Sequence, residues 1–243
     1  MNQREGFHGK CFYCGNTYTK AGMSRHLKAC QARKDANATE EGKAFRLLHI
    51  QAWGSYAPGF WLHLETAAKT TLADLDDFFR AIWMECCGHL SQFIIDDVYY
   101  SGSPSRDFGF SLGVEEKDIR TPLWKAARPG DEFQYEYDFG TTTPVKLKVM
   151  DEREGVPPEE SINVMARNYL PNIPCEVCDQ PAEHLLTWEY PPTPYCQEHA
   201  EEHDNWPDGF LPVVNSPRIG DCGYTGPGND KYIFDEIYQN EEE

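Results

Sequence analysis

Eight cysteine and histidine side chains fall into two sets of four whose spacing only a shared ion explains well, and this constrains the chain more than anything else in it. The first set is Cys11, Cys14, His26 and Cys30, spaced C-x2-C-x11-H-x3-C. The second is Cys175, Cys178, Cys196 and His199, spaced C-x2-C-x17-C-x2-H. Two cysteines separated by two residues sit on a tight knuckle. His26 and Cys30, four apart, share one face of a short helix, so all four donors of the first set can reach one tetrahedral zinc. The second set has two knuckle-like pairs, and His184 and His203 are alternative fourth ligands. Nine cysteines form an odd number, and in a reducing compartment that argues for metal binding over a disulfide framework. The cofactor expectation is therefore two structural zinc ions. Four protein ligands leave no position for water, so such zincs hold a fold and do not activate a nucleophile.

The head, residues 1–38, is too small to bury its own core, and zinc would supply most of its folding free energy. It resembles a zinc finger of the CCHC type with a loop one residue short. It holds seven basic and two acidic groups, a net of +5, whereas the remaining residues carry −23 of the total −18. Lys20, Arg25 and Lys28 lie on or beside the finger helix and can face phosphates or base edges, although one finger reads only about three base pairs. Gln31 to Gly42 reads as a flexible link. The strongly acidic remainder excludes a general nucleic-acid coat, and no apolar run reaches the roughly 18–20 residues of a membrane span. Met1 to Lys10 is polar, without a signal-peptide core, so a cytoplasmic protein that avoids membranes is expected.

Between the two ligand sets, Ala44–Trp53 and Phe60–Glu65 read as a strand pair broken by Gly54, Pro58 and Gly59. Thr70-Thr71 can cap a helix in which Leu72, Leu75, Phe78, Phe79, Ile82 and Trp83 recur at three and four, and Gly88 closes it. Phe93–Tyr100 and Phe108–Val114 have strand character, and Glu115–Ala127 is interrupted by Pro122. Phe133–Gly140 alternates strictly, as does Val145–Met150, which predicts a hairpin. Ser161–Tyr169 has apolar positions at helix-like spacing. The fold class expected is α+β, a mainly antiparallel sheet with packed helices, flanked by the N-terminal finger and a C-terminal zinc-binding module. The expected divisions are 1–38 for the finger, 44–150 for the body, 161–228 for the module and 229–243 for an acidic tail.

Four of these features occur together in a recognisable order: the strand pair, the helix TLADLDDFFRAIW, Gly88-His89-Leu90 followed by Phe93, and Phe133-x-Tyr135-x-Tyr137-Asp138-Phe139-Gly140. In this the stretch from about 44 to 150 resembles the plasmid pRiA4b ORF-3-like family, also called transposon-passenger TnpR-like proteins. The head and tail look like a zinc-rich branch of it. The resemblance implies an α+β fold and an association with mobile genetic elements, and it implies no particular reaction. Many relatives place an acid, a Trp and a His after the YDFG motif, where this chain has Thr141-Thr142-Thr143-Pro144. Asp138-Phe139-Gly140 spells a kinase magnesium motif, but the Gly-rich loop and catalytic loop of kinases are missing from the sequence.

Other reactive residues have plain readings. Cys86 and Cys87, adjacent on an apolar segment, read as packed core thiols. His89 reads as a satisfied or packing histidine at a helix end, and His49 and His63, which alternate within strands, read the same way. Cys222 stands among acids in a Pro- and Gly-rich segment, Gly209–Gly228, that reads as an ordered wrapping loop. The function these readings favour is a zinc-stabilised, non-enzymatic binding or adaptor protein with a protein partner. The alternatives are a regulator that contacts DNA or RNA through the finger, and a metal-assisted nuclease or hydrolase using His89 with Asp96, Asp97 or Asp138.

Overall fold

The computed structural model describes residues 7–36, 44–102 and 115–238. They divide into two compact units, Met1–Phe78 with Leu90–Asn168, and Phe79–His89 with Tyr169–Glu243.

The first unit is built on a ten-stranded sheet among the described residues. In chain order its strands are β1 (His8–Cys11), β2 (Thr17–Thr19), β3 (Phe45–Gly54), β4 (Trp61–Ala67), β5 (Ser91–Ile95), β6 (Val98–Ser101), β7 (Glu115–Asp118), β8 (Glu132–Tyr137), β9 (Thr143–Gly155) and β10 (Ile162–Asn168). Across the sheet they run β2-β1-β10-β4-β3-β9-β8-β5-β6-β7. Every neighbouring pair is antiparallel except β6 with β7, so the sheet is mixed but mainly antiparallel. The helices are α1 (Lys20–Ala29), α2 (Gln31–Ala36), α3 (Leu72–Phe79) and the short α4 (Leu123–Ala126).

Every residue of β4 is buried, because both faces of the sheet are covered there. Leu62 and Leu64 lie beside Ala52 and Ile50 of β3 on one face, a plain apolar layer. On the other face Trp61, His63 and Glu65 pair with Trp53, Gln51 and His49. The helices of the finger lie over this second face. Met23, Leu27, Cys11 and Cys30 share one small core with Trp61, Met165 and Ala166. Ser24 accepts a hydrogen bond from Gln51 at 3.3 Å, and Lys20 stands 4.8 Å above the Trp53 ring. The finger thus completes its core with side chains of the sheet, as a module of its size requires. Its strand β1 also pairs with β10, Gly9 opposite Asn168. Gly9 allows this close approach, since a Cβ there would stand 2.3 Å from the Arg167 carbonyl oxygen and 2.5 Å from the Trp61 ring.

Several local readings change. Gln31–Ala36, read as the start of a flexible link, is the helix α2. Its Arg33 is buried and donates to the buried carboxylate of Glu65 at 2.6 Å, which also accepts from Arg153 Nη2 at 2.7 Å. Ser161–Tyr169, read at helical spacing, contains β10 instead. A bulge between Val164 and Ala166 shifts its register against β4 and breaks the two-residue alternation that would have marked a strand. Phe93–Tyr100 is not one strand but a hairpin, turned at Asp96 and Asp97, both left-handed at φ 50° and 62°. Phe108–Val114 lies outside the described residues. The capping reading of α3 holds in detail: Asp74 N donates to Thr71 Oγ1 at 3.1 Å while Thr71 N donates to Asp74 Oδ2 at 2.8 Å, a reciprocal box.

In the second unit, α3 runs on into a π-helical turn, Arg80–Met84, with Phe79 and Trp83 stacked at 6.1 Å. A three-stranded antiparallel sheet of β11 (His184–Leu186), β12 (Thr193–Tyr195) and β13 (Phe210–Pro212) is followed in packing by α5 (Gln197–Glu201). Leu186, Ala200 and Phe210 form its core with Tyr195 and Trp206 against them. The Pro- and Gly-rich segment is ordered, with Arg218 and Tyr224 almost fully buried and Ser216 donating to the Trp83 carbonyl at 2.7 Å. Among the described residues no helix is long and apolar enough to cross a membrane.

Candidate metal centres

In the finger, a knuckle and a helix bring the four donors together. β1 ends at Cys11, and the chain turns through Gly15 in the left-handed region, with Gly15 N donating to the Cys11 carbonyl at 2.8 Å. Thr19 caps α1 through the Gly22 amide, and the last turn of α1 presents His26 one turn ahead of Cys30. The His26 ring stacks on Tyr18 at 4.3 Å, which sets its plane, and its Nε2 lies 3.3 Å from Cys14 Sγ. The donor atoms of Cys11, Cys14, His26 and Cys30 all fall within 4.8 Å of one another. Burial pushes the Cys11 thiol up to about 11 and moves the His26 imidazole down, so near neutral pH the imidazole is an uncharged donor.

In the second unit, Cys175, Cys178, Cys196 and His199 meet the same 4.8 Å limit. The two sulfurs of Cys178 and Cys196 are 3.8 Å apart, and His199 Nδ1 stands 3.1, 3.5 and 3.7 Å from the sulfurs of Cys196, Cys178 and Cys175. His199 is carried by α5, one turn beyond Cys196. Burial alone would raise the Cys175 thiol, but amide hydrogen bonds from Cys196, Val177 and Cys178 outweigh it and bring it to about 6. One of these is visible as Val177 N to Cys175 Sγ at 3.4 Å. The two alternative histidines are engaged elsewhere. His184 Nε2 is 2.5 Å from Gln197 Oε1, and His203 Nδ1 accepts from the Asn205 amide.

A third group was not read from the sequence. Cys86, Cys87, His89 and Cys222 also place their donors within 4.8 Å of one another. Cys86 and Cys87 are therefore not packed core thiols: Cys86 is half-buried and Cys87 is exposed. His89, read as a satisfied or packing histidine, has its Nε2 3.2 Å from Cys222 Sγ. The signal available in sequence was only a Cys-Cys-x-His run, whose fourth member lies 133 residues beyond His89. None of the nine cysteines is in a disulfide. Among the described residues, three Cys/His clusters could thus hold metal ions.

The carboxylates considered beside His89 have structural duties. Asp138 is left-handed at φ 64° and its Oδ1 accepts from the amides of Gly140 and Thr141, which forms the turn into β9. Asp96 and Asp97 form the β5–β6 turn. Of the basic residues singled out on the finger, Lys20 is half-buried over Trp53, while Arg25 and Lys28 are exposed on α1.

No protein-family model matches the chain. No curated protein matches it either. A crystal structure of a protein of unknown function from Methanosarcina mazei Go1 is similar over 51% of this chain and 70% of its own, at 15% identity and a TM-score of 0.43.

Proposed function

We propose that the protein is a zinc-stabilised, non-enzymatic adaptor. In this reading one zinc sits at Cys11, Cys14, His26 and Cys30, a second sits at Cys175, Cys178, Cys196 and His199, and the acidic surface binds a basic protein. The observation that carries it is the geometry of the second group. Zinc–sulfur bonds of about 2.3 Å and zinc–nitrogen bonds of about 2.0–2.1 Å imply tetrahedral edges of about 3.8 Å between sulfurs and about 3.5 Å between sulfur and nitrogen. The 3.8 Å separation of Cys178 and Cys196 and the 3.1–3.7 Å separations around His199 Nδ1 fit those edges. A complete protein shell suits a structural ion. Residues 150–243 carry −17, and the segment between β11 and β12 exposes Trp188 and Tyr190 beside Glu189. Large exposed aromatics among like charges are the kind of anchor that a basic partner uses. The resemblance to the pRiA4b ORF-3-like family adds mobile genetic elements as the setting.

The competing reading is a nucleic-acid regulator acting through Arg25 and Lys28 of α1. Because β1 is paired into the sheet, removing the head would strip an edge from the first unit, so charge reversal is the cleaner probe. The full-length, zinc-loaded protein is to be titrated at about 150 mM salt with a library of basic peptides and with random DNA and RNA pools. The adaptor reading expects peptide binding that weakens at least tenfold in Trp188→Ala with Tyr190→Ala and is unchanged in Arg25→Glu with Lys28→Glu. Selective nucleic-acid binding lost in the second variant, with no peptide bound, would overturn it.

A further inference from the structure

We propose that Cys86, Cys87, His89 and Cys222 form a third metal site, one open to solvent, which takes a thiophilic divalent ion of the zinc class and exchanges it faster than the two knuckle sites. The proposal does not depend on the adaptor reading. Its four donors satisfy the same 4.8 Å limit as the two motif-spaced groups, and the His89 Nε2 to Cys222 Sγ distance of 3.2 Å is close to a tetrahedral sulfur–nitrogen edge.

The surrounding structure is arranged to deliver these donors. Arg80 donates to the His89 carbonyl at 2.8 Å and to Glu85 at 2.9 Å, and Glu85 Oε1 accepts from Gly88 N, so residues 85–89 are tied down as one loop. Gly88, left-handed at φ 73°, reverses the chain between Cys87 and His89. Cys222 is itself left-handed at φ 47°, a conformation that strains a residue with a side chain and that gathers at functional positions. Behind the cluster, the buried guanidinium of Arg218 directs Nη2 at Cys86 Sγ, 3.5 Å away. The charges also balance. Three thiolates, each having released its proton on binding, are neutralised by one divalent ion together with Arg218.

Exposure separates this site from the others. Each knuckle group has two buried cysteines, Cys11 with Cys30 and Cys175 with Cys196, and only Cys14 among their cysteines is exposed, whereas Cys87 and Cys222 are both exposed and no ligand of the third group is buried. Competing chelators and water therefore reach its ion directly. The ion would also join two stretches far apart in sequence, Cys86–His89 and Cys222, where the knuckle sites close only local loops.

The test is zinc stoichiometry of the full-length protein by native mass spectrometry, with release kinetics to a chromogenic chelator. Three equivalents are expected, one of them leaving at least tenfold faster than the other two. Cys222→Ser should hold two equivalents and lose the fast phase, and Cys87→Ser, at an exposed position, repeats the measurement should the first variant fold poorly. Cys11→Ser and Cys175→Ser should each lose one slow equivalent, so failure of the knuckle sites is seen separately. Two equivalents in the native chain, unchanged by Cys222→Ser and Cys87→Ser, would overturn the proposal. So would alkylation of Cys87 and Cys222 at the same rate with and without zinc.

Discussion

Under the finger, His49 and His63 are buried in direct contact, His49 Nε2 standing 2.8 Å from His63 Nδ1, with Gln51 Nε2 3.2 Å from His63 Nε2. Burial moves both imidazoles down, His63 to about 3, and the cations Arg33 and Lys20 reinforce it at His63. Both rings are therefore neutral in the folded chain at pH values where an unfolded histidine, near 6.5, begins to take a proton. Above about 6.5 the two states bind the same protons and nothing is lost. As pH falls from about 6.5 towards 3, the unfolded state binds more, and stability declines by up to about 1.4 kcal/mol per pH unit for His63. His63→Gln should be less stable at pH 7, where it disturbs these hydrogen bonds, yet lose less between pH 7 and pH 5. Urea midpoints of both proteins at the same zinc concentration check this, and equal slopes would remove His63 from the acid response. The sequence placed both histidines on strands. It did not show that β3 and β4 bring them into contact, because that depends on the register His49 opposite Glu65 and Gln51 opposite His63.

At the scale of elements, chelate spacing, capping and hairpin alternation were legible because each is a local requirement. Thr71 and Asp74 are three apart, and Phe133, Tyr135 and Tyr137 alternate along β8 with buried side chains. The β5–β6 turn and β10 were not legible. The turn uses Asp-Asp where the left-handed pair would favour Asn-Gly, so the usual signal is missing. Asp97→Gly should relieve a left-handed side chain and raise stability by about 1 kcal/mol, or about 2–4 °C in melting temperature. Thermal unfolding of the full chain checks it, and a lower melting temperature would contradict the turn described for this hairpin. In β10 the bulge hides the strand periodicity, and the segment is held by neighbours on both sides, β1 and β4.

For the whole molecule, the candidate metal groups are distributed between the two units, and their loss should be read separately. The finger group shares its core with Trp61 and Met165 of the sheet, so Cys11→Ser should reduce hydrogen-exchange protection along β1 and β10. Cys175→Ser should loosen α5 and the β11–β12 pair and leave β10 protected as before. Hydrogen exchange of the two full-length variants against the native chain makes the comparison, and loss of β10 protection in Cys175→Ser would show that the second group supports more than its own unit.

The sequence by itself determined the two knuckle groups, the β3–β4 and β8–β9 pairs and the acidic balance of the chain, since chelation, side-chain alternation and charge are written in neighbouring residues. Only the tertiary structure decided that the finger lies on the sheet, that Arg33 and Arg153 share Glu65, and that Cys222 meets Cys86, Cys87 and His89. Those contacts join residues that are far apart along the chain. No local spacing records them, because they exist only once the strands have chosen their partners and the buried face has chosen its cover.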